Sequence, residues 1–253
     1  TISENQTICY DTKPSKLTGT PASGGFGNFV YQWQYSTDNS TYSDVVGANE
    51  QDYQPNNLLQ PTYFKRLATL AGQTVESNKV FIDVRPALSE PITDLKGSYC
   101  RNLTATVSVT SPETGMKYNW YNSSNSLIWV GSQYSINNFS EETNLFVQKE
   151  DVQGCQSTKK SLTLHLDNVF AAFTPDKTLI NQGEKVTFTN NSINGNTFSW
   201  DFGDGVTSLE FSPSHYYHLI IDNHPTSYTV SLMVTSPYGC TSSEVKNNLI
   251  VVN

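Results

Sequence analysis

The sequence predicts an all-β protein made of three related sandwich domains. Three tryptophans recur in similar local settings: Trp33 in VYQWQYS, Trp120 in KYNWYNS and Trp200 in TFSWDFGDG. A second strand-like run follows each Trp, and then a turn that contains Gly72-Gln73, Gly154-Cys155 or Gly239-Cys240. A repeat of roughly 80 to 90 residues has the size of a β-sandwich domain and is longer than a solenoid repeat.

Alternating apolar and polar residues predict further strands in each domain. They are KVFIDV (79–84), TATVSV (104–109), SLTLHL (161–166), KVTFTN (185–190), YTVSLMV (228–234) and NLIVV (248–252). No stretch of useful length has a helical pattern. We expect each of the three repeated Trp residues on a central strand, with its indole buried in the domain core.

Two short linkers separate the predicted domains. They are DVRPALSEPI (83–92) and HLDNVFAAFTP (165–175), which gives domains 1–86, 87–168 and 169–253. Pro86 and Pro91 remove amide donors and fix φ, so the first linker should be extended and semi-rigid. The domains are therefore expected to follow one another end to end.

Composition excludes several classes of function. The net charge is −8 with only 15 Lys and Arg, so no basic stripe could neutralise phosphates and nucleic-acid binding is not expected. No apolar run approaches the roughly 20 residues that cross a bilayer, so membrane insertion is not expected. The opening TISENQTICYDTK lacks the features of a signal peptide, so any export signal would lie outside this sequence. Abundant Ser, Thr, Asn and Tyr with few charges are typical of extracellular β-proteins.

The repeat register predicts one disulfide. Cys100 and Cys155 flank Trp120 within one repeat and are expected to pair, closing a loop of about 55 residues. Cys9 matches Cys100 in register, and Cys240 matches Cys155.

The expected partners of the other two cysteines are missing. Gln73 stands in the first repeat where a partner for Cys9 would be, and Asn181-Gln182 stands in the third where a partner for Cys240 would be. A Cys9–Cys240 bond would require the two end domains to meet, so we expect two free thiols. No CxxC spacing favours zinc.

The third repeat resembles the PKD domain, an immunoglobulin-like sandwich found in many bacterial surface proteins. The resemblance covers about residues 169–253 and depends on SWDFGDG (199–205), SPSHYYH (212–218) and SYTVSLMVTSPYGC (227–240). It implies that Trp200 is buried and that Asp201 through Gly205 form the tight turn after its strand. It also implies that Pro213 and His215 lie in the connection that follows.

The first two repeats resemble other modules of the same surface proteins. In the first, a Cys near the start, GGFG (24–27), YQWQYSTD (31–38) and TYFKR (62–66) are similar to repeats of giant adhesins from gliding Bacteroidota. The middle repeat resembles the immunoglobulin-like modules that alternate with PKD domains there. The resemblance implies an internal or processed segment of a long, SprB-type cell-surface adhesin. Such proteins are exported by type IX secretion through a C-terminal sorting domain, which this sequence does not include.

Few residues suggest a metal-binding or catalytic site. Asp201 and Asp204 are candidate calcium ligands, but the number of ligands that calcium needs favours the alternative that they cap backbone amides of their own turn. No other cofactor is expected. His215 and His218, with Asp222 and His224, form a His/Asp cluster, but residues three apart on a strand point to opposite faces. No Ser has a G-x-S-x-G setting, so an enzyme is not expected.

Three functions are compatible with these features. The first is a non-catalytic structural or adhesive segment that spaces or presents an adhesive tip at the bacterial surface, with neighbouring domains of the same polypeptide as its partners. The second is a module that binds surface polysaccharide through exposed aromatic side chains, with Tyr35, Tyr42, Tyr53 and Trp129 as candidates. For Trp129, packing within a strand is the other interpretation. The third is an accessory region of a secreted hydrolase, because PKD domains also accompany proteases and chitinases.

Overall fold

The computed structural model describes residues 1–218 and 225–253, and its regular elements there are all β-strands. The predicted all-β, tandem immunoglobulin-like class is confirmed, and no helix in the described ranges could span a membrane. The chain packs into two compact units. The first contains Thr1–Glu90, Gly115–Lys117 and Gln148–Lys159, and the second contains Pro91–Thr114, Tyr118–Val147 and Lys160–Asn253. Residues 148–159 of the second repeat therefore pack in the first unit.

The first repeat forms a six-stranded sheet. Its strands are β1 (Gln6–Ile8), β2 (Val30–Ser36), β3 (Ser43–Asp44), β4 (Thr62–Leu70), β5 (Gln73–Glu76) and β6 (Val80–Val84). The order is β1-β6-β4-β2-β3, β5 pairs with β4, and β1 runs parallel to β6. Trp33 lies on the inner strand β2 and packs in a core with Ile2, Leu17, Ala48, Phe64, Val80 and Ile82.

The second repeat has a four-stranded sheet and two smaller strand pairs. Its strands are β7 (Tyr99–Cys100), β8 (Ala105–Ser108), β9 (Lys117–Asn122), β10 (Leu127–Val130), β11 (Gln133–Ile136), β12 (Thr143–Glu150), β13 (Lys160–Leu164) and β14 (Leu166–Asp167). The large sheet has the order β10-β9-β12-β13, β11 pairs with β8, and β14 runs parallel to β7. Trp120 lies on β9 and stacks on Tyr134, with 5.8 Å between ring centroids.

The third repeat is a sandwich of two sheets in the second unit. Its strands are β15 (Phe173–Pro175), β16 (Leu179–Ile180), β17 (Lys185–Asn190), β18 (Thr197–Asp201), β19 (Thr207–Ser208), β20 (Ser214–Tyr216), β21 (Thr226–Thr235) and β22 (Thr241–Val252). One sheet has the order β15-β17-β20 and the other β16-β22-β21-β18-β19. His215 on β20 pairs with Val186 on β17, so His215 lies on a strand and not in a connection as the resemblance implied.

The three repeated tryptophans have the same environment. Each side chain is 0% exposed, so each indole lies inside a repeat core. Each indole N–H donates to a backbone carbonyl further along the chain: Trp33 to Glu50 at 3.0 Å, Trp120 to Gly131 at 2.8 Å and Trp200 to Glu210 at 2.9 Å. A buried indole needs such an acceptor, so each Trp fixes the path of the loop that supplies it.

Candidate functional site: two disulfide-linked junctions

The four cysteines form two disulfides, Cys9–Cys155 and Cys100–Cys240. The predicted Cys100–Cys155 bond is therefore wrong, and the predicted free thiols at Cys9 and Cys240 do not exist. The Cα–Cα distances of 5.4 and 5.3 Å lie in the usual range for disulfides. Each bond joins the opening segment of one repeat to a turn of the next, and each lies within one unit. The prediction failed because it allowed pairing only within a repeat or between the two ends.

The opening cysteines occupy equivalent backbone positions. In the parallel pair β1 and β6, Ile8 lies opposite Val84, and the Arg85 N–H donates to the Ile8 carbonyl at 2.9 Å. Cys9 therefore comes directly after the last paired residue of β1. In the parallel pair β7 and β14, Cys100 lies opposite Asp167. In both repeats, the cysteine thus lies where the opening strand meets the end of the last strand.

The turns that carry the second cysteines are also equivalent. In residues 151–155 and 236–240, the first residue donates its N–H to the carbonyl of the cysteine, at 2.9 and 2.8 Å. The glycine before the cysteine donates back to the carbonyl of the first residue, at 3.0 and 3.1 Å. Gly154 and Gly239 have φ values of 85° and 84°, a conformation that favours glycine. We call the Cys9–Cys155 region with this turn the first junction and the Cys100–Cys240 region with its turn the second junction.

In the first junction, Asp151 connects the turn to the preceding repeat. Its Oδ1 accepts hydrogen bonds from the N–H groups of Gln153 and Cys155, both at 2.9 Å. Its Oδ2 lies 3.1 Å from Nε of Arg85, whose backbone N–H donates to the carbonyl of Ile8, the residue before Cys9. The Asp151 side chain is only 5% exposed, whereas that of Arg85 is 34% exposed, so water reaches this ion pair from the arginine side. The carboxylate therefore stabilises both the turn and its attachment.

In the second junction, Ser236 has the place of Asp151. Its Oγ accepts hydrogen bonds from the N–H groups of Tyr238 and Cys240, both at 3.2 Å. Its hydroxyl donates to the carboxylate of Asp167, which lies opposite Cys100. The carboxylate is thus on the turn in the first junction and on the preceding strand in the second.

Neighbouring contacts complete each junction. In the first, the Lys149 ammonium donates to Ser89 at 3.3 Å and the Thr158 hydroxyl donates to Glu90 at 2.8 Å. In the second, the Tyr238 ring lies against the backbone of Gly97, where a Cβ would come within 2.5 Å of Cε1 of that ring. The junctions are therefore packed and hydrogen-bonded in addition to being covalently linked.

The charge of Asp151 gives the first junction a dependence on pH. Burial raises the pKa of Asp151, but hydrogen bonds from Cys155 and Gln153 and the Arg85 guanidinium lower it by more, so the net pKa lies below its usual value. A carboxyl group with a lowered pKa in the folded state stabilises that state fully above its unfolded pKa. The contribution is lost as the pH falls through the lowered folded pKa.

We expect the Asp151→Asn variant to be less stable than the native chain at neutral pH and to approach it in acid. Asn can still accept backbone hydrogen bonds but cannot form the ion pair with Arg85. Urea unfolding at a series of pH values, with disulfides intact, should give a constant difference in unfolding free energy above about pH 5 that shrinks below about pH 4. Arg85→Gln should reduce the acid-sensitive part of that difference. A difference that persists unchanged to about pH 2 would show that the charge of Asp151 does not stabilise the first junction.

The predicted calcium residues hold the turn after β18. Asp201 Oδ1 accepts the N–H of Gly203 at 2.8 Å, and Asp204 Oδ1 accepts the N–H of Val206 at 3.1 Å. Asp204 Oδ2 lies 2.7 Å from Nε2 of His215, whose side chain is only 12% exposed. Within residues 1–218 and 225–253, no group of three His, Cys, Asp or Glu side chains could hold a metal ion. Asp222 and His224 of the predicted His/Asp cluster lie outside the described residues.

Two glycines of this turn give a matched pair of variants. Gly203 and Gly205 have φ values of 85° and 89°. A Cβ on Gly203 would lie 2.3 Å from the Thr229 carbonyl oxygen, whereas a Cβ on Gly205 would meet nothing within 4 Å. We expect Gly205→Ala to cost about 1–2 kcal/mol from φ alone and Gly203→Ala about 3 kcal/mol or more. Urea unfolding compares them, and equal losses would show that the Thr229 contact is not as close as described.

Two of the four aromatic candidates for polysaccharide contact have roles inside the first unit. The Tyr53 ring is half-buried and packs on Trp33, with 5.8 Å between ring centroids. The Tyr42 ring is also half-buried, with the ammonium groups of Lys65 and Lys79 4.4 and 5.1 Å from its centroid. Neither ring is a free, flat surface for a sugar.

The other two candidates are exposed. Tyr35 on β2 is 43% exposed and belongs to the first unit, whereas Trp129 on β10 is 53% exposed and belongs to the second. Trp129 borders a shallow groove of about 470 Å³ whose other lining residues are Gly131, Ser132, Gln133, Tyr134 and Ser135. Trp129 is thus a surface aromatic beside hydroxyl and carboxamide groups.

Comparisons with known families agree with this architecture. Residues 89–166 match an Ig-like domain (CHU_C associated), and residues 1–86 match a domain of unknown function (DUF8696). The chain is therefore a tandem array that includes an immunoglobulin-like domain. Residues 171–251 match the PKD domain, so the array is a PKD and immunoglobulin-like repeat region.

Solved structures similar to parts or all of the chain come from bacteria and animals. The PKD1 domain of the Vibrio cholerae metalloprotease PrtV is 30% identical, with 34% of this chain and 96% of that chain covered and a TM-score of 0.27. The PKD1 domain of Vibrio anguillarum Epp is also 30% identical, with 34% and 98% covered and a TM-score of 0.28. The ectodomain of mouse nectin-like molecule 4 is 10% identical, with 99% and 97% covered and a TM-score of 0.39. No curated protein matches the chain.

Proposed function

We propose that this chain is a non-catalytic structural segment of a large bacterial cell-surface protein, which spaces or presents an adhesive tip. The observation that carries the proposal is the pair of disulfide junctions, each of which fastens the turn of one repeat to the opening of the repeat before it. A protein that must transmit force gains from covalent links between its repeats. Disulfides persist in oxidising compartments, so the same links support an extracellular location.

The side chains also support a role without catalysis. PKD and immunoglobulin-like domains are generally non-catalytic modules. The His215–Asp204 pair has the polar groups of a catalytic dyad, but the imidazole stacks flat on Phe202, with 4.3 Å between ring centroids and 2° between ring planes. The other Asp204 oxygen is occupied by a turn amide. The pair therefore fits a role in holding the turn against the core.

The proposed biological process and export route rest on the sequence resemblance. The motifs of the first repeat resemble those of gliding-motility adhesins of Bacteroidota, which leave the cell by type IX secretion, and the third repeat resembles the PKD domains that occur in the same proteins. We therefore propose attachment or gliding as the process, with the secretion machinery as a partner of the full-length protein. The net charge of −8 would limit association between neighbouring filaments.

A second candidate function is polysaccharide binding at Trp129. The exposed indole and the adjoining hydroxyl and carboxamide groups of Ser132 and Gln133 have the chemistry that stacks on and hydrogen-bonds a sugar ring. A third is an accessory role in a secreted hydrolase, because the PKD domain that the third repeat matches also accompanies proteases and chitinases.

The test replaces the coding region for this segment in the parent protein. Antibodies against the segment should label intact cells, and deletion of the segment should reduce attachment under flow. A flexible, cysteine-free linker of the same number of residues is not expected to restore attachment, because it supplies length without folded domains. Absence of surface labelling, or unchanged attachment after deletion, would contradict the structural role. Loss of attachment in Trp129→Ala alone would favour the polysaccharide-binding alternative.

A further inference from the structure

The two disulfides are interleaved along the chain. In sequence order, the first cysteine pairs with the third and the second pairs with the fourth. Three chain segments, residues 10–99, 101–154 and 156–239, therefore run between one disulfide and the other. Each segment begins at one disulfide and ends at the other. When force is applied to the chain ends, the three segments therefore bear it in parallel and not one after another.

This arrangement changes how the repeats respond to force. In a chain of unlinked domains the same tension passes through each domain in turn, and each one that unfolds lengthens the chain. Here the two disulfides can move far apart only when all three segments lengthen. The limit is set by the shortest segment, Cys100 to Cys155, which has about 55 residues against about 90 and about 85 in the other two.

Each parallel segment contains the Trp at the centre of one repeat core. Trp33 lies in the first segment, Trp120 in the second and Trp200 in the third, and all three are fully buried. Unfolding of one core alone therefore leaves the distance between the disulfides restrained by the other two segments. In a linear array each core would bear the full force. Here the force is divided among the three segments and their cores.

The two disulfides join only these three repeats to one another. The chain has four cysteines and all of them are paired, so no thiol is available to a repeat on either side. The first repeat has the two-residue turn Ala71-Gly72 at the position equivalent to the turns that end in Cys155 and Cys240, and Gln73 follows this turn in place of a cysteine. In the third, Asn181-Gln182 has the place of an opening cysteine.

We infer that the interleaved disulfides make this region a length-limited tether whose three cores carry tension together. Its physiological meaning depends on the proposed surface function, but the mechanical property belongs to the isolated chain. Full extension of 253 residues without disulfides would reach about 870 Å. With both disulfides, the shortest covalent route between the chain ends sets the maximum length. It runs from Thr1 to Cys9, across the disulfide to Cys155, back along the chain to Cys100, and across the other disulfide to Cys240 and Asn253. Fully extended, this route measures about 270 Å.

Single-molecule force spectroscopy on the whole chain, held through handles fused at Thr1 and Asn253, tests this inference. The oxidised chain should lengthen to no more than about 270 Å, whereas the chain treated with reductant should reach about 870 Å through separate events for its domains. These limits follow from covalent connectivity, so they apply even if the reduced chain is less well folded.

Paired Cys→Ser variants provide matched controls. Loss of Cys9 and Cys155 should raise the limit to about 390 Å, and loss of Cys100 and Cys240 should raise it to about 370 Å. An oxidised chain that extends to about 680 Å would indicate a Cys100–Cys155 bond and would overturn the inference. An identical extension with and without reductant would overturn it as well. Neither result depends on where the protein acts, so failure here is distinct from failure of the surface-attachment test.

Discussion

Replacement of both Cys9 and Cys155 by serine is expected to lower the free energy of unfolding of the oxidised chain by up to about 5 kcal/mol. The bond spans 146 residues, and the chain-entropy model gives about this value for a loop of that length. Urea unfolding of the oxidised chain and the variant measures the difference. The loss should appear in the first unit, which contains both cysteines.

The other disulfide is the matched comparison for this prediction. Cys100 and Cys240 close a span of 140 residues, so their replacement should cost nearly the same and should affect the second unit. A loss below about 1 kcal/mol in both variants would mean that the bonds add little to folding. The junctions would then depend on Asp151, Ser236 and their hydrogen bonds.

The Trp200→Ala variant is expected to lose about 3–5 kcal/mol of unfolding free energy. The indole is 0% exposed and packs against Phe173, Phe188 and Phe202, with ring centroids 5.1, 5.7 and 6.5 Å away. Alanine would leave a cavity there and would leave the Glu210 carbonyl without its indole donor. Urea unfolding followed by far-ultraviolet circular dichroism measures the loss without relying on the deleted fluorophore.

Trp129→Ala is the control for that experiment, because it removes the same side chain from an exposed position. Trp129 is 53% exposed, and we expect a change within about 0.5 kcal/mol. Similar losses in the two variants would show that Trp200 is not central to the core. Trp129→Ala with unchanged stability also allows polysaccharide binding to be tested without a folding artefact.

Much of the fold could be predicted from the sequence because strand periodicity is a local property. On β21, Tyr228, Val230, Leu232 and Val234 are buried and alternate with residues that are not, as the pattern predicts. The repeated Trp residues could be identified because a large indole needs a core. His215 was harder to place, since the short strand β20 has only three residues and offers little periodicity.

The disulfides could not be predicted by comparing repeats with one another. Register shows that Cys9 matches Cys100 and that Cys155 matches Cys240, but it does not show which repeat supplies the partner. That depends on how a turn packs against the preceding repeat, which is a property of tertiary structure. The four-residue spacing of Asp151 and Ser236 before their cysteines was a usable signal, because it marks two equivalent turns that each carry a capping side chain.

Peptide mapping of the oxidised chain determines the disulfide pairing on which both junctions and the tether depend. Proteolysis without reduction, with free thiols blocked, followed by mass spectrometry, identifies which cysteine-containing peptides remain joined. We predict one linked pair with Cys9 and Cys155, a second with Cys100 and Cys240, and no blocked thiol. A linked pair with Cys100 and Cys155, accompanied by blocked thiols at Cys9 and Cys240, would contradict both the junctions and the tether.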